Sequence, residues 1–155
     1  MKPILLVIAL SLAGIGNTSA QTQPQTRALA RQHQGAPDVS PNQWLDAAAS
    51  VLSAMDSNKA GDLWDGASPA VKKAVQRNAF VTQSAATRKS LGAAANRTWI
   101  AVRRMQVASG GNAPAGLYTS VELQTTFASN KVGNELISFR LDEDGTWRFA
   151  GYTVH

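Results

Sequence analysis

Glu135 is a carboxylate placed among apolar neighbours. The segment Val132–Leu141 alternates with a period of two, and Glu135 shares its parity with Ile137, Phe139 and Leu141. A carboxylate at the mouth of an apolar cavity has its charged form disfavoured and becomes a candidate acid or base. That chemistry would suit a small-pocket isomerase or dehydratase. The structural alternative is a strand-end glutamate turned to solvent or paired with Arg97 or Arg103. The strand pattern sets Glu135 opposite Thr125.

A second group falls on the opposite parity. If Leu141 pairs with Trp147 around Glu143-Asp144-Gly145, Arg140 lands opposite Arg148. Like charges at cross-strand spacing repel, so the pair needs an anion. Glu122, diagonal to Arg140, is expected to neutralise one guanidinium and leave the other spare beside Tyr118 or Tyr152. These five residues form a candidate site for an anionic ligand or an acidic partner. Its plain alternative is an arginine lying over a tyrosine ring.

Charge distribution supports that expectation. Between Gly66 and Val121 stand eight basic residues, Lys72, Lys73, Arg77, Arg88, Lys89, Arg97, Arg103 and Arg104, and no acid. Such segregation predicts a positive field over one face, against the alternative of a solvated basic surface with no dedicated ligand. Other chemistries are excluded or unsupported. There is no cysteine, and the two histidines are His33, in a polar stretch, and His155. Thiol nucleophiles, cysteine-ligated metals and histidine-based triads therefore fall away. Asp142, Glu143 and Asp144 lack the spaced ligands of a calcium loop and read as a charged hairpin tip. Gly110-Gly111 is not followed by the lysine of a phosphate-binding loop. The pattern implies no metal and no cofactor.

The elements that position these residues are helices followed by strands. Ser40-Pro41 is a cap-and-proline signal. Trp44, Ala48, Val51, Leu52 and Met55 then form an apolar stripe at helical spacing. A short turn is expected at Asp62–Asp65, a second capped segment after Ser68-Pro69, and a helix over residues 78–91 stopped by Gly92. From Thr98 the period becomes two, predicting strands over 98–107, 117–127, 132–141 and 146–154. The fold class is α+β, with N-terminal helices packed on one face of a four-stranded antiparallel sheet. A turn at Ser129-Asn130-Lys131 sets Val121 opposite Phe139. For the first strand, the odd positions, Trp99 among them, are expected to face the core.

The beginning of the chain reads differently. Lys2, the apolar run from Ile4 to Leu10 and the small residues up to Ala20 describe a signal peptide cleaved before Gln21. The apolar run is too short to span a bilayer, and no lipidation cysteine follows. Residues 21–40 are rich in glutamine, threonine and proline and read as a flexible leader. Residues 41–155 then form one domain.

Trp44, Leu63-Trp64-Asp65, Val71-Lys72, Leu91-Gly92, Asp144-Gly-Thr-Trp-Arg148 and Gly151-Tyr-Thr-Val154 together give a family resemblance. The chain resembles a bacterial family of small exported proteins known as domain of unknown function number four-zero-one-nine. Phe80 and Thr153 depart mildly from its pattern. The resemblance implies a cystatin-like or NTF2-like α+β shape and a periplasmic or secreted location, and it implies no activity. The expected function is an exported, non-enzymatic binding or protein-interaction domain facing an unknown protein or an anionic envelope component. Export argues against nucleic acid as partner, despite a formal net charge of +5. The alternatives are an NTF2-like enzyme using Glu135 and an immunity-like protein that caps a toxin.

Overall fold

A computed structural model describes residues 38–110, 113–128 and 130–155. The expected signal peptide, most of the leader, and His33 lie outside the described residues, as do Gly111, Asn112 and Ser129. Helix α1 spans Pro41–Asp56, α2 Ala60–Asp65, α3 Pro69–Ala74 and α4 Arg77–Leu91. Strands β1 (Ala94–Val107), β2 (Gly116–Phe127), β3 (Val132–Leu141) and β4 (Trp147–Val154) follow and pair antiparallel in sequence order.

The start of α1 follows from its cap. Ser40 is extended, its hydroxyl accepts from the Gln43 N–H, and the Gln43 side chain accepts from the Ser40 N–H at 2.9 Å. This reciprocal box satisfies two donors that would otherwise lack helical partners. The stripe of Trp44, Ala48, Val51, Leu52 and Met55 is buried, as its spacing predicts. It packs with Val121, Ile137, Phe139 and Phe149 of the sheet in one core. Trp44 meets Phe139 at 5.2 Å between ring centres and Trp147 edge-on at 4.8 Å. Phe80 of α4 meets Phe149 at 5.9 Å. A smaller cluster forms from Val71 of α3 with Tyr118, Ala150, Met105 and Val107.

Three details of the sheet depart from expectation. The β3–β4 hairpin pairs Leu141 with Trp147 as predicted, and Gly145 takes the left-handed position, φ 77°. The β2–β3 turn, however, is closed by Phe127 and Lys131, with Asn130 left-handed at φ 57°. Asn130 thus occupies the third turn position, the place Gly145 takes in the next hairpin, where a left-handed residue is required. The turn sits one residue earlier than expected, and the register shifts by two. Val121 faces Ile137, Glu122 faces Leu136, and Glu135 faces Leu123. A two-residue shift preserves every side-chain face.

Bulges change faces, and there are two such corrections. In β1 the pairing jumps between Trp99 and Ala101, leaving Ile100 unpaired. Beyond it Val102 joins the core while Met105 turns to the other cluster. Trp99, expected inside, precedes the bulge and keeps the side of Leu123, yet it is 59% exposed at the edge of the sheet. In β4 the register shifts between Ser138 and Phe139, leaving Ala150 as the extra residue. Tyr152 therefore faces Ile137 and packs against the main core instead of sharing the side of Arg148. An extra residue reverses the alternation of all that follow.

Candidate functional site

The deepest polar cluster is built around Glu135, which has no solvent exposure. Five elements converge on its carboxylate or on the arginines that hold it. From α4, Arg88 Nη1 donates to Oε1 at 2.8 Å. From β1, Arg97 Nε donates to Oε2 at 2.6 Å. The Tyr152 hydroxyl of β4 donates at 2.7 Å, and the Thr125 hydroxyl of β2 donates as well. Asp56, at the end of α1, accepts from Arg97 at 2.7 and 2.9 Å and from Arg88 Nη2. Arg88 also reaches the Tyr152 oxygen at 3.1 Å and lies over the Phe127 ring.

Burial pushes the Glu135 carboxyl up, but hydrogen bonds from Arg97, Thr125 and Tyr152 outweigh it and hold the group below its ordinary value. Tyr152 moves the other way: burial, then its bond to Glu135, makes it a weaker acid. A carboxylate held ionised by this many donors has no proton to give and no open lone pair to take one. Two carboxylates and two guanidiniums neutralise each other, and the arrangement ties helices to sheet. Of the two partners weighed from sequence, Arg97 is present, whereas Arg103 pairs with Glu122.

The Arg140–Arg148 group is also assembled, with different partners from those expected. The two arginines do face each other. Arg140 is buried, donating to Asp142 at 2.7 Å, to Glu143 at 2.7 Å and to the Ala115 carbonyl at 2.8 Å. Arg148 donates to Asp142 at 2.9 Å and to Asp144 at 2.9 and 2.7 Å. Asp142 also accepts from the Ser68 hydroxyl. Glu143 and Asp144 are held below the ordinary carboxylate range, first by their arginine partners. A Cβ on Gly116 would sit 2.8 Å from Arg140 Nε, so the arginine depends on a glycine there.

The expected neutralising role of Glu122 is therefore corrected. Glu122 is engaged by Arg103 and by Asn134 at 3.2 Å, out of reach of Arg140. Tyr118 is buried, and its hydroxyl donates to the Pro114 carbonyl at 2.7 Å. Tyr152 belongs to the Glu135 cluster. Neither arginine offers the spare guanidinium that the sequence suggested, because the hairpin tip supplies three carboxylates. An open hollow of about 380 Å³ beside it is lined by Asp65, Lys72, Asp142, Glu143, Asp144 and Arg148, more acidic than basic.

The basic run is dispersed in the same way. Arg77 pairs with Asp65, Arg88 and Arg97 with Asp56 and Glu135, and Arg103 with Glu122. Lys72 donates to the Asp65 carbonyl and lies 5.3 Å from the Trp64 ring centre. Arg104 packs over Trp147 at 5.6 Å and, like Lys89, forms no ion pair among the described residues.

Two residues of the Glu135 cluster, Asp56 and Arg88, were not placed beside Glu135 by the sequence, yet signals existed. Phe80, Ser84 and Arg88 are spaced by four along α4, so Arg88 extends an inward-facing row. Asp56 sits at the negative end of a helix, where a carboxylate needs a cation nearby.

The chain belongs to a family described as a protein of unknown function (DUF4019), whose model matches residues 47–152. Among curated proteins none matches. A solved structure from Catenulispora acidiphila, determined at 2.5 Å, is similar at a TM-score of 0.43 and 12% identity, covering 84% of this chain and 93% of that one. No helix among the described residues is long and apolar enough to cross a membrane.

Proposed function

We propose that this protein is an exported, non-enzymatic interaction domain that engages an acidic partner. The observation carrying this reading is how the polar chemistry is arranged. The buried carboxylates Glu135 and Asp142 are each closed by two arginines and further donors. Groups spent on mutual neutralisation hold a fold together but do not turn over a substrate. What remains for recognition is surface: cations such as Lys73, Lys89 and Arg104, which form no ion pair among the described residues, and the exposed apolar side chains Trp99, Ile100 and Val132. The short apolar run near Met1 and the small residues ending at Ala20 support export.

Two measurements test the reading. N-terminal sequencing of the protein from a periplasmic extract should begin at Gln21. Full-length chain in the cytoplasm or in salt-washed membranes overturns the export part. The protein should be retained on immobilised polyglutamate at low salt and released as the screening length falls below ~10 Å. Passage without retention overturns the acidic-partner part.

A further inference from the structure

The sheet has two edges, and the chain treats them differently. β4 is short, is bulged at Ala150, and its Phe149 carbonyl accepts the Ser68 N–H at 2.9 Å. The connection between α2 and α3 thus covers that edge. β1 is 14 residues long, and no described strand lies beyond it. The outward N–H and C=O groups of an edge strand form a ready template for another strand.

Two features of β1 define what it fits. Its centre is apolar and open, with adjacent Trp99 and Ile100 exposed by 59% and 43%. Its flanks are basic: Arg104 is exposed on one side of that centre, beside Arg103 with its Glu122 partner, and Lys89 precedes the strand on the other. A second copy of the chain is a poor occupant. Its own β1, residues 94–107, holds no carboxylate to set against Arg104 or Lys89. An acidic segment meets the reverse condition.

We propose that the outer edge of β1 docks an extended segment of a partner protein as an added strand, with the partner's apolar middle on Trp99 and Ile100 and its flanking carboxylates facing Arg104 and Lys89. This rests on the interaction reading above and names its surface and partner. Main-chain hydrogen bonds supply the affinity in such augmentation, and side chains at alternate positions supply the choice of partner. Trp99 is the anchor, since a large amphipathic ring carries a disproportionate share of interface energy. The Ile100 bulge twists the strand locally and fixes where the added strand is in register.

The test uses the full chain, a synthetic nine-residue peptide with Val-Ile-Val between glutamates, and the same peptide with lysine replacing each glutamate. The acidic peptide should bind, protect β1 backbone amides from hydrogen exchange, and bind more weakly as salt rises. The lysine peptide should not bind. Trp99→Ser and Arg104→Glu together should weaken binding by about tenfold or more. Both side chains are accessible, and an unchanged melting temperature verifies that the variant is folded. If polyglutamate is retained but β1 amides stay unprotected and the double variant behaves as wild type, the edge proposal falls while the interaction reading stands. Binding to anionic vesicles with unprotected β1 amides also overturns it. If neither peptide nor polyglutamate binds, both readings fall.

Discussion

Glu135 and Asp142 are both buried carboxylates held between two arginines, but they draw on different stretches of chain. The Glu135 cluster gathers Asp56, Arg88, Arg97, Thr125 and Tyr152, with contributions from α1, α4 and every strand. The Asp142 cluster comes almost entirely from one hairpin, Arg140 to Arg148, with Ser68 as its distant member. One cluster holds elements together, while the other finishes a turn. A buried carboxylate's importance to the fold therefore depends on what its partners connect, more than on its depth or number of bonds. Glu135 has two fewer hairpin neighbours able to replace it, because Glu143 and Asp144 stand beside the arginines of Asp142 and none stands beside its own except Asp56.

The comparison is broken most directly by removing each carboxylate. Glu135→Ala leaves Arg88 and Arg97 with Asp56 alone and strands two buried hydroxyls. It should cost about 3–5 kcal/mol, read from urea denaturation. A loss below about 1 kcal/mol would mean that the cluster is not a tie between elements. Asp142→Asn keeps the shape, and Glu143 and Asp144 still serve the arginines. The expected cost is smaller, about 1–3 kcal/mol. Equal losses for the two variants would erase the distinction drawn here.

Acid sharpens it further. The Glu135 carboxyl is lower when folded than its ordinary 4.5. The unfolded chain therefore takes up that proton first. The resulting stability is complete above the ordinary value and is lost as pH falls through the folded one. Asp65, Glu143 and Asp144 shift in the same direction and form a common background. Glu135→Gln should be less stable than wild type near neutrality, with the gap narrowing below pH 4.5. A gap that stays constant to the acid transition would remove Glu135's ionisation from the account. The smallest effect belongs to Arg77→Ala. Its pair with Asp65 is about half exposed on both sides, and such pairs contribute little. Its urea midpoint should match wild type, and a clear shift would show that surface pairs count here too.

The same contrast explains how much was legible in the sequence. Strand β3, the cap of α1 and the Gly145 hairpin depend on neighbours in the chain, and their residues announce them. The pairing of Arg140 with Arg148 followed from that hairpin. Its neutralisation by Glu143 and Asp144, three and four positions away, was within reach of the same reasoning. Tyr152 and Met105 were misplaced because each lies beyond a bulge, and a bulge carries no residue signature strong enough to reveal a skipped partner. Asp56 and Arg88 were missed as a pair because only the closed sheet brings the end of α1 beside the end of α4. The positive field read from eight unopposed cations is thinned for a related reason: Arg77, Arg88, Arg97 and Arg103 meet acids on other elements, while Lys72, Lys73, Lys89 and Arg104 form no ion pair among the described residues.

Ser68 makes one more point, this time about order in time. Its hydroxyl binds Asp142, 74 positions later, and its N–H binds the Phe149 carbonyl. Trp44 likewise waits for Trp147. A chain that has made the described helices and β1 to β3 still lacks the Phe149 carbonyl on which its α2–α3 connection rests and the Trp147 ring that meets Trp44. Closure depends on contacts distant in sequence, which form late and slowly. The late strand β4 thus helps to lock helix α1 and the α2–α3 connection, and a chain stalled before β4 should remain open to proteases and chaperones. That late closure suits the proposed export, in which a chain must be threaded before it folds.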